Sequence, residues 1–413
     1  MENKTLFGKL PLGWKHVALS DVTTFISRGR QPKYIASVEG IPVINQKMIR
    51  NFTIDYRYVK YNDAKKNINK SVFIKIGDTL VNSTGVGTVG RSAYISIDPM
   101  RPTFVDSHVT IVRPDTAIVD PKFMSVVLSS DVYSNYMGST LAQGSTGQVE
   151  LSRQKLSKMC IPFPPLNTQH LIGTIFDLID QKIKLNQQIN KNLLKLINNI
   201  YLREYFANPQ VALADHVALS DLIQTKTNTF NPKKTSETLV NHFSMPAFDE
   251  DQYPIIDKVT SIKSNKNIVE PFSVLVSKMN PQVKRVWLPN ISDKILNVAS
   301  TEFLTFTADS AEMQAFIFAI VNNKSYKQFL MSNTTGSTNS RQRVLPRVAY
   351  SFEIAFNRIK AERLGKLLVP FLEKIKLTKS EIQRLKKLRA LLLPKLLSES
   401  INLSSMEEAM KNA

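Results

Sequence analysis

One cysteine, Cys160, stands among 413 residues. With no second thiol, neither a disulfide framework nor a cysteine-based zinc site can close within the chain, and a reducing cytoplasm fits. No uncharged stretch reaches the ~20 apolar residues of a membrane span, and the opening Met1–Lys9 has no apolar core of signal-peptide length. The expectation is a soluble, cytoplasmic protein with no membrane partner. Acidic side chains are in deficit: 34 Asp+Glu face 54 Lys+Arg, giving +20 and a pI near 9.8. A surplus of that size suits neutralisation of a polyanion and makes nucleic acid the first candidate partner, although merely solvated lysines give the same balance.

Catalytic signatures are missing too. There is no Gly-x4-Gly-Lys-Ser/Thr phosphate loop and no Gly-x-Gly-x-x-Gly; Gly85-Val-Gly-Thr-Val-Gly90 brings its third glycine one residue early and reads as a hairpin or bulge-rich loop. The Asn/Asp-Pro-Pro-aromatic mark of amino-methylating enzymes is absent, because Pro164-Pro165 follows Phe163. Asp115, Asp120 and Lys122 loosely match a metal-dependent nuclease, but the acids are too close in sequence and Asp-Pro is a common turn. His108 and Cys160 have no partner at ligand spacing and read as packed or surface residues.

What is present is a repeat. His-Val-Ala-Leu-Ser-Asp occurs at His16–Asp21 and His216–Asp221, Gly-Ser-Thr at 144–146 and 336–338, and Lys-Ile-Lys-Leu at 182–185 and 374–377. A displacement of roughly 200 residues means two whole domains rather than an array of small units. In the first half Ile41–Asn45, Ser71–Ile76, Thr79–Val81 and His108–Val112 are β-branched runs expected to be strands of one irregular sheet. Pro121–Met137 and Ser310–Leu330 show helical spacing. Each half is therefore expected to be an α+β domain.

Each half ends in a heptad pattern. Ile172, Phe176, Ile179, Ile183, Leu193, Ile197 and Ile200 alternate in steps of four and three, interrupted by Asn186 and Asn190. The positions 192 further on are Leu364, Leu368, Phe371, Ile375, Leu385, Arg389 and Leu392, with Thr378 and Ile382 opposite the two asparagines. A lone amphipathic helix usually packs on its own domain, whereas two tails in one register point to mutual pairing. Pro165 and Asn167 or Thr168 suit the start of the first helix, which over 167–206 would be roughly 60 Å long at 1.5 Å per residue. Pro370 should kink the second or restart it, and Pro394 should disrupt its last turns. The expected boundaries are 1–165, 166–206, 207–357, 358–400 and a polar tail at 401–413.

Between the strands lie loops whose side chains suit base edges and phosphates. The candidates in the first half are Arg28, Arg30, Gln31, Lys33, Asn45, Gln46, Lys47, Ser83, Thr84, Arg91, Ser145, Thr146 and Gln148. In the second they are Lys233, Lys278, Asn280, Gln282, Lys284, Arg285, Ser337, Thr338, Asn339, Arg341, Gln342 and Arg343. Any one such loop reads more readily as a plain surface turn; the recurrence of Gly-Ser-Thr at one place in both halves argues against chance.

Residues 144–156 with 161–172, together with 13–22, Gly40–Ile44 and Gly77–Leu80, resemble the specificity subunits of type I restriction-modification systems, and the resemblance runs over the whole chain in order. It implies two target-recognition domains separated by two long antiparallel coiled-coil spacer helices acting as a ruler. It further implies a bipartite, asymmetric double-stranded DNA target and no catalytic activity of the chain's own. The implied partners are two DNA adenine methyltransferase subunits and, in a full complex, two restriction subunits; S-adenosylmethionine, ATP and Mg²⁺ would belong to those partners. The second half departs from the pattern, since 352–365 lacks the Pro-Pro-Leu junction. The alternative is a stand-alone two-domain DNA-binding regulator without an enzyme complex.

Overall fold

The computed structural model describes residues 4–144, 149–225, 228–335 and 342–398. The chain divides into two compact units, Met1–Lys182 with Leu385–Ala413, and Ile183–Arg384. Both are α+β, and two long helices run through the chain, Leu166–Tyr201 and Arg358–Leu397.

The first unit holds two four-stranded sheets rather than one. One is antiparallel throughout, in the order Ser92–Tyr94, Thr79–Asn82, Val109–Pro114, Thr23–Arg28. The other places Ile41–Ile44 between Phe104–Val105, its parallel neighbour, and Lys60–Asn62. Ser71–Ile76 is not a strand. Asn69 accepts from the Ser71 amide at 2.9 Å and winds Lys70–Val72 into a 3₁₀ turn, a local side-chain bond that outcompetes β propensity. Val43, Ile44, Leu80, Phe104 and Ile111 meet in a core with no exposed surface.

The same competition splits both expected domain helices. Ser130 is extended and caps the Tyr133 amide, so Pro121–Ser129 ends and Asp131–Tyr136 begins, with a π-helical turn over Met137–Leu141. Asn323 caps the Ser325 amide in the same way, between Ala311–Val321 and Lys324–Ser332. An Asn or Ser that captures a free amide starts a helix more readily than it continues one.

In the second unit a five-stranded sheet, order Thr229–Phe230, Lys266–Ile268, Leu296–Ala299, Leu239–Phe243, Ile255–Lys258, accompanies a three-stranded one centred on Ser273–Ser277. Trp287 is buried among Phe243, Phe248 and Phe303, with ring centroids 4.9, 5.4 and 5.7 Å away. These edge-on contacts bury large apolar area at favourable quadrupole geometry.

The repeated hexapeptide closes each unit. Lys15–Ala18 pairs antiparallel with Cys160–Phe163, and His216–Ala218 pairs antiparallel with Glu353–Ala355. In both copies a 3₁₀ turn follows, and its fully buried leucine donates back across the pair: Leu19 to Met159 O, Leu219 to Phe352 O, each at 3.0 Å. The six recurring residues build the same strand, turn and buried leucine in both units.

The long helices are antiparallel. In the first unit Arg389 Nε meets Asp180 Oδ1 at 3.0 Å; in the second, Asn186 donates to Glu381 at 2.9 Å and Thr378 donates to Asn190. Numbers rise along one helix as they fall along the other. Ile172, Phe176, Ile197, Leu364, Leu368, Ile375, Ile382 and Leu392 of the heptad pattern are buried. Ile183, Leu193, Ile200 and Leu385 are only half-buried, and Leu372 is buried where the pattern has Phe371. The second helix neither restarts at Pro370 nor stops before Pro394. Pro370 costs about 3 kcal/mol in a helix interior, but buried Leu364, Leu368, Leu372 and Ile375 flank it and are each worth about 1.5–3 kcal/mol.

Candidate nucleic-acid interface

In the first unit, hydrogen bonds gather five loop segments at one edge, four of them through backbone bonds. Gly29 and Arg30 donate to Val109 O and Val105 O, Ser83 to His108 O at 2.8 Å, Gly85 to Val149 O at 3.0 Å, and Leu151 to Ser83 O at 2.8 Å. The segment at 45–47 joins through Asn82 Nδ2, which donates to Gln46 O at 3.1 Å. Gly29 is obligatory, because a Cβ there would lie 1.8 Å from Val105 O.

Side chains then tie the segments together. Thr84 Oγ1 lies 3.1 Å from Gln46 Oε1 and 2.8 Å from His108 Nδ1. Arg28 bonds Glu150 Oε1 and Leu151 O, both at 2.7 Å. Gln31 Oε1 accepts from Ser107 at 2.9 Å, and Lys33 pairs with Asp63 at 2.9 Å. Beside them the Lys60 ammonium sits 4.6 Å from the Tyr34 ring centre, and burial together with Asp106 pushes the Tyr34 hydroxyl up to about 12.

Not every candidate faces outward. Asn45 is buried, taking the Lys47 amide on Oδ1 and giving Nδ2 to Tyr58 O; Ser83 is fully buried against Thr110 Oγ1 at 2.5 Å. Their side chains build the loops. Arg30, Lys47 and Arg91 are exposed, with no side-chain bond or ion pair among the described residues. Ser145, Thr146 and Gln148 lie outside the described residues.

The second unit repeats the frame with other side chains. Lys278 donates to Glu302 O at 3.0 Å, Asn280 to Gln342 O at 2.8 Å, and Val344 to Lys278 O at 2.9 Å. Position for position, Lys278 stands where Ser83 stands, Asn280 where Gly85 does, Glu302 where His108 does and Arg343 where Glu150 does. Asn280 also shares the positive φ of Gly85, 49° against 93°. Arg343 pairs with Glu302 at 2.9 Å, and Gln282 approaches Gln342 at 3.5 Å. One frame therefore carries an outer glutamate held by an arginine in the first unit and an outer arginine held by a glutamate in the second. Asn280 Oδ1 and Glu302 Oε2 are shut away with no partner among the described residues.

Two candidates serve the scaffold here: Arg285 grips Asp249 at 2.7 and 2.9 Å, and Lys284 Nζ donates to Asn322 O at 2.5 Å. Lys233 is exposed on a separate turn and is not joined to the cluster by any described bond. Ser337, Thr338, Asn339 and Arg341 lie outside the described residues. Sequence reasoning missed His108, Glu150 and Glu302 as members of these clusters. Alignment through the Gly-Ser-Thr repeat, displaced by 192 residues, sets Glu150 opposite Gln342, one residue short of the Arg343 that the backbone frame places there.

The residues considered for a nuclease have other work. Asp120 caps the Phe123 amide at 2.7 Å and holds His170 at 2.8 Å, while Lys122 pairs with Asp180 at 2.8 Å. What the two clusters offer chemically is recognition: arginine, glutamine, asparagine and hydroxyl groups, the side chains that pair with base edges and phosphates.

Comparison with known proteins bears on the same regions. Residues 11–195 match the family model of the type I restriction modification DNA specificity domain. Over 213 residues the chain is 26% identical to the specificity subunit of the type I restriction enzyme HindI of Haemophilus influenzae, an alignment covering 50% of this chain and 44% of that protein. The chain thus spans less than half the length of this curated relative. Among solved structures it is similar in fold to the type I restriction-modification S subunit of M. genitalium, at 15% identity and a TM-score of 0.56 over 96% of this chain and 99% of that one. It also aligns with the HsdS subunit of Thermoanaerobacter tengcongensis, at 16% identity and a TM-score of 0.36 over 95% and 98% of the two chains.

Proposed function

Since the chain belongs, through residues 11–195, to the type I restriction modification DNA specificity domain family, we propose that it is the non-catalytic DNA-recognition subunit of a methyltransferase and restriction complex. Each loop cluster reads one half-site of a bipartite, asymmetric target in double-stranded DNA. The observation that carries this reading is the shared backbone frame with exchanged side chains: Arg28 and Glu150 with His108 in one unit, Glu302 and Arg343 with Gln342 in the other. A conserved frame fixes the approach to a groove, while different side chains on it select different bases.

The surplus of positive charge supplies the sequence-independent share of the affinity through phosphate contacts, on which the loop side chains superimpose base choice. Two methyltransferase subunits, with two restriction subunits in the larger assembly, are the proposed protein partners. Exposed Leu178, Leu185 and Leu196 on the first long helix, and Leu367, Leu377 and Leu388 on the second, offer them apolar anchors. S-adenosylmethionine, ATP and Mg²⁺ belong to those subunits. The paired long helices set the unread gap between half-sites.

Single-molecule methylome sequencing tests the proposal, comparing a host that carries this gene beside a methyltransferase with a deletion of this gene alone. A two-part motif with a fixed gap that disappears on deletion is the expected result. An unchanged methylome, with the methyltransferase expressed, overturns it.

A further inference from the structure

A cleft of about 180 Å³ opens into the second unit behind the 277–285 loop. Lys284 and Lys379 both line it, Phe248, Phe318, Leu288 and Ile375 form apolar walls, and none of its lining residues is acidic. At ~10–15 Å³ of such space for a single water, the cleft has room for a ligand larger than a water molecule.

The two lysines are under-satisfied. Lys284 Nζ donates to Asn322 O at 2.5 Å and Lys379 Nζ to Gln252 Oε1 at 3.2 Å, both neutral acceptors. An ammonium has three donors, so most of the N–H groups have no described protein partner. Burial pushes both amines down to about 8, helped at Lys284 by the neighbouring charge of Lys327. Gln252 adds a separate observation. It ends the helix Met245–Asp251 in the left-handed region at φ 52°, a place normally given to glycine. A side chain held there is strained, and its amide oxygen accepts from Lys379.

We propose that this cleft binds a small phosphate ester, its oxyanion between Lys284 and Lys379 and its apolar substituent against Phe248 and Phe318. A phosphate group brings close to two negative charges and three acceptor oxygens, matching two ammonium groups better than a carboxylate does. The inference does not depend on the DNA-recognition reading.

Phenyl phosphate and inorganic phosphate, titrated by calorimetry into the full-length chain, test it. Expected is one saturable site per chain, with phenyl phosphate at least tenfold tighter than inorganic phosphate. Lys379→Met and Lys284→Met should each weaken phenyl phosphate at least tenfold, with the fold checked by circular dichroism, while Lys366→Met on the exposed face of the second helix leaves it unchanged. Absence of saturable binding by the unmutated chain at millimolar ligand overturns the proposal whatever the variants do. So does equal binding by all three variants, which would mean adventitious anion association. Displacement of phenyl phosphate by duplex DNA would assign the lysines to the DNA backbone and equally overturn a free small ligand.

Discussion

Replacing Arg389 with alanine should destabilise the first unit by about 3 kcal/mol, and each contribution can be read from the structure. The guanidinium is buried, donates to Asp180 Oδ1 and Ser129 Oγ at 3.0 Å each, and stacks 3.8 Å from the centre of the Phe52 ring. A hydrogen bond involving a charged group contributes about 1.5–3 kcal/mol, and a desolvated cation–π contact about 2 kcal/mol. The full cost of an orphaned charge, about 3–5 kcal/mol, is not reached because Lys122 remains 2.8 Å from Asp180. Arg389→Met, which refills the volume and keeps apolar contact with Phe52 and Phe176, should cost about half as much. Urea unfolding followed by hydrogen exchange at Pro121–Ser129 and at the hairpin of Ile49–Arg50 with Thr53–Ile54, whose turn carries Phe52, provides the measurement. A double-mutant cycle with Asp180→Asn should return a coupling of about 1–2 kcal/mol. If Arg389→Ala costs less than about 1 kcal/mol, or couples to nothing, the contacts described do not hold the helix end and the reasoning fails.

Three further outcomes are expected. Gly29→Ala drives a methyl into Val105 O and should disconnect the 28–31 segment from the 105–108 turn, costing about 2–4 kcal/mol in chemical denaturation; a loss within 0.5 kcal/mol would show that the close approach is not real. The His242 imidazole lies below its ordinary value because burial outweighs the bond to Asp257, and Nε2 has no described partner to take a second proton's charge. The unfolded chain therefore protonates first, so the second unit should lose stability as pH falls through about 6.5, by at most about 1.4 kcal/mol per pH unit; His242→Gln should remove that share, and an unchanged pH slope would contradict it. Gln342→Ala should relax recognition at one half-site in the methylome, whereas a uniform loss of modification across both halves would assign it to phosphate contact.

The α+β class, the two long helices and the hexapeptide's duplication were legible because they rest on periodicity and repetition. The helix breaks at Ser130 and Asn323, and the 3₁₀ turn at 70–72, were not. There one side-chain oxygen decides between continuing and restarting, and apolar spacing alone does not show which side chain will fold back. Pro370 misled in the opposite direction, since its local cost is visible in sequence and the tertiary burial that outweighs it is not. The candidate site divides along the same line. Its loop residues were chosen by type, but the inward turn of Asn45 and Ser83, and the recruitment of His108, Glu150 and Glu302, follow from contacts between segments far apart in the chain.

The pairing of Lys15–Ala18 with Cys160–Phe163, and of His216–Ala218 with Glu353–Ala355, means that each recognition body leaves and re-enters through two adjacent strands. A segment whose ends already lie side by side can be exchanged for another of different length without moving its surroundings, because loop-closure entropy grows only slowly with the length enclosed. The two strand pairs therefore act as sockets: whatever chain lies between residues 22 and 159, or between 222 and 352, could be replaced as a block while the buried Leu19 and Leu219 stay seated. The two bodies differ in sequence while their entry strands are nearly identical, the pattern that such block replacement would produce.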